Sequence, residues 1–225
     1  MSPAFHSFWH TVTRLGEAQI LLPALAVMLV WFALRPQGRP VVRVWLVCIG
    51  VAALLTTATK VAFIGWEVGY APLDFTGISG HSMFAAAVLP VLAGATASGA
   101  SPRTRLLALA ASYGFAALIA VSRVMTGAHS VSEAIAGFAI GAVASQLALR
   151  LATAPRTQAP KALLAGLLVW LVLTPAGAPP SRTHDWVTRL SITLSGREQP
   201  YTRWMMLRRY RLEQLQRLQP GFSQS

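Results

Sequence analysis

The chain has 225 residues, of which 54% are hydrophobic and only 12% charged, with a formal net charge of +12. A soluble domain carries about a quarter of its residues as charges, so the composition excludes an ordinary water-soluble globule, and its apolar content excludes disorder. Arginine supplies 17 of the 19 basic residues and punctuates long apolar stretches rather than covering a polar face, which argues against a nucleic-acid binder.

In chain order, residues 1–17 come first. Phe5, Phe8, Trp9, Val12 and Leu15 recur at helical spacing, which predicts an amphipathic helix in the membrane interface. No basic leader with a cleavage site precedes an apolar run, so the segment does not read as a signal peptide. Six apolar segments follow, each near the roughly 20 residues that a hydrocarbon core requires. They are 18–34, 44–66, 83–98, 106–124, 131–151 and 162–176, and Pro90 falls inside the third. The segments are too long and too uniformly apolar for barrel strands of about ten alternating residues. The expectation is an all-α polytopic membrane protein: a six-helix bundle over 18–177, preceded by an interfacial helix and followed by an Arg-rich tail over 178–225. The single Cys48, inside the second segment, can form no intrachain disulfide.

Orientation follows from the short loops. Arg35, Arg39 and Arg43, then Arg103 and Arg105, then Arg150, Arg156 and Lys161 follow the odd-numbered spans, whereas Arg123 is the one basic residue in or beside the even loops. Odd loops are therefore expected in the cytoplasm, and even loops and both termini outside. The tail holds eight arginines, and 207–218 has helical spacing with an Arg-rich face. The tail could bind anionic headgroups, cover the site or simply lie on the membrane surface, and the last is its expected place. Gly137 and Gly141 form a G-x-x-x-G extended by Ala134 and Ala144, a stripe for close packing within the bundle or, alternatively, for a dimer.

Ionisable groups in or at the edge of a span are costly and mark function by default. Five qualify: Lys60, His81, Arg123, His129 and Glu133. The topology brings all five to the outer face from four different helices. His129 and Glu133 are four apart, so on one helix the carboxylate can accept a bond from one imidazole nitrogen and leave the other as nucleophile or base. His81 follows Ser79 and Gly80 at a helix start, where free amides attract an oxyanion. Lys60 and Arg123 add positive charge, Arg123 with a fork that matches phosphate oxygens. The set reads as a phosphate site with two histidines. A zinc site of His81, His129 and Glu133 is disfavoured by the two neighbouring cations.

Ser79-Gly80-His81, then Ser122-Arg123, five residues and His129, resembles the second and third signature motifs of the type 2 phosphatidic acid phosphatase superfamily. Lys60 stands where that family's first motif begins. The resemblance covers roughly 55–150 and departs at three points. Glu67-Val68 replaces the Arg-Pro of the first motif, Ile78 replaces a proline, and Glu133 replaces an aspartate. Arg182 or another tail arginine is a candidate substitute for the missing cation. The resemblance implies a phosphohistidine on His129, oriented by Glu133, with His81 as acid and then base. Lys60, Ser79, Gly80 and Arg123 would hold the phosphate, with no metal or cofactor. The implied substrate is a phosphomonoester or diphosphate of a membrane lipid, hydrolysed at the periplasmic face of a bacterial inner membrane. Transfer of the phosphoryl group to a second lipid, or binding of anionic lipid without turnover, are the rival readings.

Overall fold

The computed structural model describes residues 2–151, 160–177 and 182–218. Within them the chain forms α1 (Pro3–Arg14), α2 (Ala18–Ala33), α3 (Arg39–Trp66), α4 (Gly80–Thr96), α5 (Pro102–Met125), α6 (Val131–Leu151), α7 (Lys161–Gly177), α8 (Thr183–Ser195) and α9 (Arg203–Leu218). The all-α expectation holds, and each of the six expected spans coincides with one helix, α2 to α7. Among the described residues four stretches are long and apolar enough to cross a membrane: Pro3–Ala33, Pro36–Trp66, Pro102–Met125 and Val131–Leu151. The count of six is therefore approximate, because α4 and α7 have 17 residues each.

The shortness of α4 has a packing reason. It is the central helix, in contact with α2, α3, α5 and α6, and most of its side chains are buried. A helix enclosed by its neighbours has no lipid-facing stripe to maintain. Pro90 leaves the carbonyl of Ala86 without its helical donor. The adjacent carbonyl, Ala87 O, accepts the indole N–H of Trp45 at 3.1 Å, so α3 braces the kinked segment.

The tightest contact in the bundle is α4 against α6. A side chain on Gly137 would collide with Ser79 O, and one on Gly141 with Met83 O. The glycines let the two backbones touch, and dispersion over that contact replaces the hydrophobic drive that lipid does not supply. The small-residue stripe is thus occupied inside the chain. It fixes the start of α4, which carries Gly80 and His81, against the start of α6, which carries Glu133.

Both terminal segments pack against the bundle. Helix α1 packs on α5, burying Val12 and Thr13. The tail does not simply lie on a membrane surface: α8 packs on the carboxyl end of α3, and Met206 of α9 is buried with Phe63 and Ile64. Arg197 pairs with Glu67 at 2.8 Å, and Tyr201 N–H donates to Ile64 O at 3.0 Å. Exposed pairs contribute little individually, so the apolar contacts carry the docking. Residues 178–181 and 219–225 of the expected tail, and Arg156 of the third basic loop, lie outside the described residues.

Candidate active site

The carboxyl ends of α3 and α5 and the amino ends of α4 and α6 meet at one end of the bundle. They enclose a cavity of about 770 Å³ whose wall includes Lys60, Gly80, His81, Arg123 and His129. The expected convergence is therefore observed, with Glu133 directly behind His129.

The spacing from Arg123 to His129 has a local cause. Helix α5 ends at Met125 and is capped by Thr126, Gly127 turns the chain with φ +69°, and the amides of Ala128 and His129 both donate back to Arg123 O at 3.1 Å. His129 is thereby folded over the end of α5. Its Nδ1 lies 2.7 Å from Glu133 Oε2, the i,i+4 bond that the sequence predicts. With the Nδ1 proton donated to that carboxylate, Nε2 keeps its lone pair. Burial pushes the pKa of His129 below the ordinary imidazole value; the bond to Glu133 opposes the shift, and the charges of Lys60 and Arg123 reinforce it. The neutral, nucleophilic ring is the favoured form.

Glu133 is fully buried and densely bonded. Its Oε1 accepts from Thr76 N and Thr76 Oγ1, both at 2.6 Å. Its Oε2 accepts from Ser130 N at 3.1 Å and from Arg203 Nη2 at 2.6 Å, in addition to His129. Arg203, the first residue of α9, also donates through Nη1 to Asp74 Oδ2 at 2.7 Å. A buried carboxylate needs this density of donors to replace its lost water.

Lys60 faces the start of α4 from α3. A side chain on Gly80 would begin 4.0 Å from Lys60 Nζ, and both residues line the cavity. Among the described residues no hydrogen bond or ion pair engages Lys60, which lines the cavity. Gly77, at φ +142°, is required where it stands: a side chain there would meet Lys60 Cγ at 2.8 Å. Arg123 donates from Nη1 to Thr13 Oγ1 of α1 at 2.7 Å, while its buried Nε has no partner.

Ser79 does not line the cavity. It is fully buried, and its hydroxyl accepts from Ser82 Oγ at 3.0 Å. Its amide donates to Glu133 O at 3.1 Å, and its carbonyl meets Gly137. Ser79 is the joint between α4 and α6, and Gly80 and His81 form the cavity wall beside it. The two tail arginines stand differently toward the place of the missing first-motif cation. Arg182 is exposed and does not line the cavity, whereas Arg203 reaches it with both terminal nitrogens engaged by carboxylates. Among the described residues no group of three His, Cys, Asp or Glu is disposed to hold a metal ion, because Glu133 turns away from His81 toward Thr76 and Arg203.

Sequence reasoning missed Thr13, Glu17, Asp74, Thr76 and Arg203. Glu17 lines the cavity at the α1–α2 turn. The chain has only seven acids, so an acid just before the first span and another in an outer loop were signals of a kind. Nothing local distinguishes Arg203 from its tail neighbours.

Comparison with known proteins agrees with this geometry. The PAP2 superfamily model matches residues 65–157, a stretch holding every candidate site residue except Lys60. An uncharacterized 22.5 kDa protein in the cps region of Klebsiella pneumoniae is 31% identical over 202 residues, covering 87% of this chain and 95% of its own length. No solved structure matches the chain significantly. With the motif residues gathered around one cavity and this relative aligned over nearly its full length, the chain belongs to the PAP2 superfamily.

Proposed function

We propose that this protein is an integral-membrane phosphatase that hydrolyses the phosphomonoester or diphosphate of a membrane lipid through a phosphohistidine. The observation that carries the proposal is His129, its Nδ1 engaged by Glu133 and its ring on a cavity shared with Lys60 and Arg123. The cavity lies at the helix ends, so a lipid phosphate at headgroup level can enter while its chains stay in the bilayer.

In the proposed reaction the Nε2 lone pair attacks phosphorus and the P–O bond to the lipid breaks in line. His81, protonated, gives its proton to the departing oxygen. Lys60, Arg123 and the first amides of α4 face the equatorial oxygens as charge spreads over them. The phosphorylated ring is cationic, and Glu133 neutralises it. Water then attacks phosphorus, His81 takes its proton, the P–N bond breaks, and its electron pair returns to Nε2. Every proton and electron pair is accounted for without a cofactor.

The test is release of inorganic phosphate from detergent-solubilised phosphatidic acid, phosphatidylglycerol phosphate and undecaprenyl diphosphate in the presence of EDTA. Turnover of at least one, abolished in His129→Ala, His81→Ala and Arg123→Ala, is the expected result. Full activity in His129→Ala would sink the mechanism. Label recovered on a second lipid rather than as free phosphate would replace hydrolysis by transfer. We further place the cavity at the periplasmic face of a bacterial inner membrane, on the strength of the basic loops at the opposite end of the bundle.

A further inference from the structure

We propose that Arg203 is a positioning residue: the C-terminal tail delivers its guanidinium to the back of the site, where it locks Glu133 and, through Glu133, the ring of His129. The proposal rests on the reading of His129 as nucleophile. Arg203 lies 70 residues beyond Glu133 and starts α9, yet its Nη2 is 2.6 Å from Glu133 Oε2 and 3.2 Å from Thr76 Oγ1. Its Nη1 is 2.7 Å from Asp74 Oδ2. Both ends of the fork are held by carboxylates, so Arg203 is not disposed to receive the substrate phosphate although it lines the cavity. It therefore does not replace the missing first-motif cation; it does something else.

That function follows from Glu133. A fully buried carboxylate needs a countercharge, and a neutral His129 supplies none. Lys60 makes no bond to it. Arg203 is the cation in contact, and the second carboxylate, Asp74, holds the guanidinium at the correct angle. Asp74, Arg203 and Glu133 thus form a chain of alternating charge that ends on the neutral ring of His129. A lysine could carry the charge but could not bridge two carboxylates from different elements with one planar group. The tail is held in place independently, by Met206 against Phe63 and Ile64 and by Arg197 on Glu67.

The test compares the full-length wild type with Arg203→Met, Arg203→Lys and Arg209→Met in detergent micelles. Turnover of dioleoyl phosphatidic acid is measured beside the ¹⁵N titration of His129. The charged and titratable groups facing His129 are Lys60 of α3, His81 of α4, Arg123 of α5, Glu133 of α6 and, behind it, Arg203 of α9. Without Arg203 the charge of Glu133 acts on His129 uncompensated, which favours the protonated ring and raises its midpoint. In Arg203→Met, kcat is expected to fall on the order of 100-fold, the scale of a misplaced reacting group, with KM nearly unchanged. Arg203→Lys restores the midpoint but only part of kcat, a signature that general misfolding does not give. Arg209→Met, in an exposed tail arginine, leaves both unchanged. A raised KM with kcat and midpoint unmoved would make Arg203 a phosphate ligand and overturn the proposal. Should the wild type turn over no lipid phosphate, the nucleophile reading fails separately. The titration then decides alone: a midpoint raised in Arg203→Met and restored in Arg203→Lys upholds the coupling, and an unmoved one overturns it.

Discussion

At the scale of single residues, two expectations follow from how His129 is held. Burial lowers its pKa despite the bond to Glu133, so the proposed nucleophile stays neutral to lower pH than a free imidazole. The acid limb of a kcat/KM profile, which reports the free enzyme, should therefore lie below the ordinary value of about 6.5. A limb above that value would mean that the titrating group is not this ring. Glu133 orients the ring from a site where it accepts five hydrogen bonds. Glu133→Ala should lower kcat by about 10³–10⁴-fold, the scale seen when a triad loses its orienting acid, while Glu133→Asp keeps part of it. Equal rates in the three proteins, measured by phosphate release, would remove Glu133 from the mechanism. The pair His129 and Glu133 was legible in the sequence because helical spacing alone puts them together. The other donors to Glu133 were not: Thr76 and Arg203 lie 57 and 70 residues away, and tertiary packing alone brings them in. The burial of Ser79 was hidden for a related reason. Its motif neighbours suggest a ligand, while its burial depends on the backbone contact with α6.

At the scale of elements, the α4–α6 contact sets the distance between the His81 and Glu133 sides of the site. Gly141→Ala would place a methyl group against Met83 O, where backbone rather than a flexible side chain must give way. Overpacking of this kind costs about 1–3 kcal/mol, and here it should also lower kcat, because it separates the two helix starts. Gly50 and Gly114 provide the comparison: a side chain there meets nothing within 4 Å. Gly50→Ala and Gly114→Ala should be neutral or raise stability by up to about 1 kcal/mol, through helix propensity alone. Thermal unfolding in detergent, read together with phosphate release, checks the set. A Gly141→Ala protein as stable and active as the wild type would show that the two backbones are not in contact. The G-x-x-x-G stripe was visible in the sequence as a packing surface, but its partner was not. The pattern states that a helix can be approached closely, and only the fold assigns α4 rather than a second chain.

At the scale of the whole molecule, the positions of the apolar helices were readable because hydropathy is a property of each segment, whereas the docking of the tail was not. Arg-rich sequence fits a lipid surface and a carboxylate cluster equally well. The fold does constrain the topology. Arg35, Arg39 and Arg43 lie at and after the α2 end, Arg103 and Arg105 at the start of α5, and Arg150 near the end of α6, all at the end of the bundle opposite the cavity. The tail returns to the cavity end, as an even number of crossings requires. If short basic loops are retained in the cytoplasm, the cavity faces outward. Single cysteines in a Cys48→Ala background test this, one at Arg103 and one at Leu73, both with exposed side chains. In intact cells a membrane-impermeant maleimide should label position 73 at once and position 103 only after permeabilisation. The reverse pattern would invert the protein in the membrane. It would leave the His129 chemistry intact but present the site to the inner leaflet, and so change which lipid phosphates can reach it.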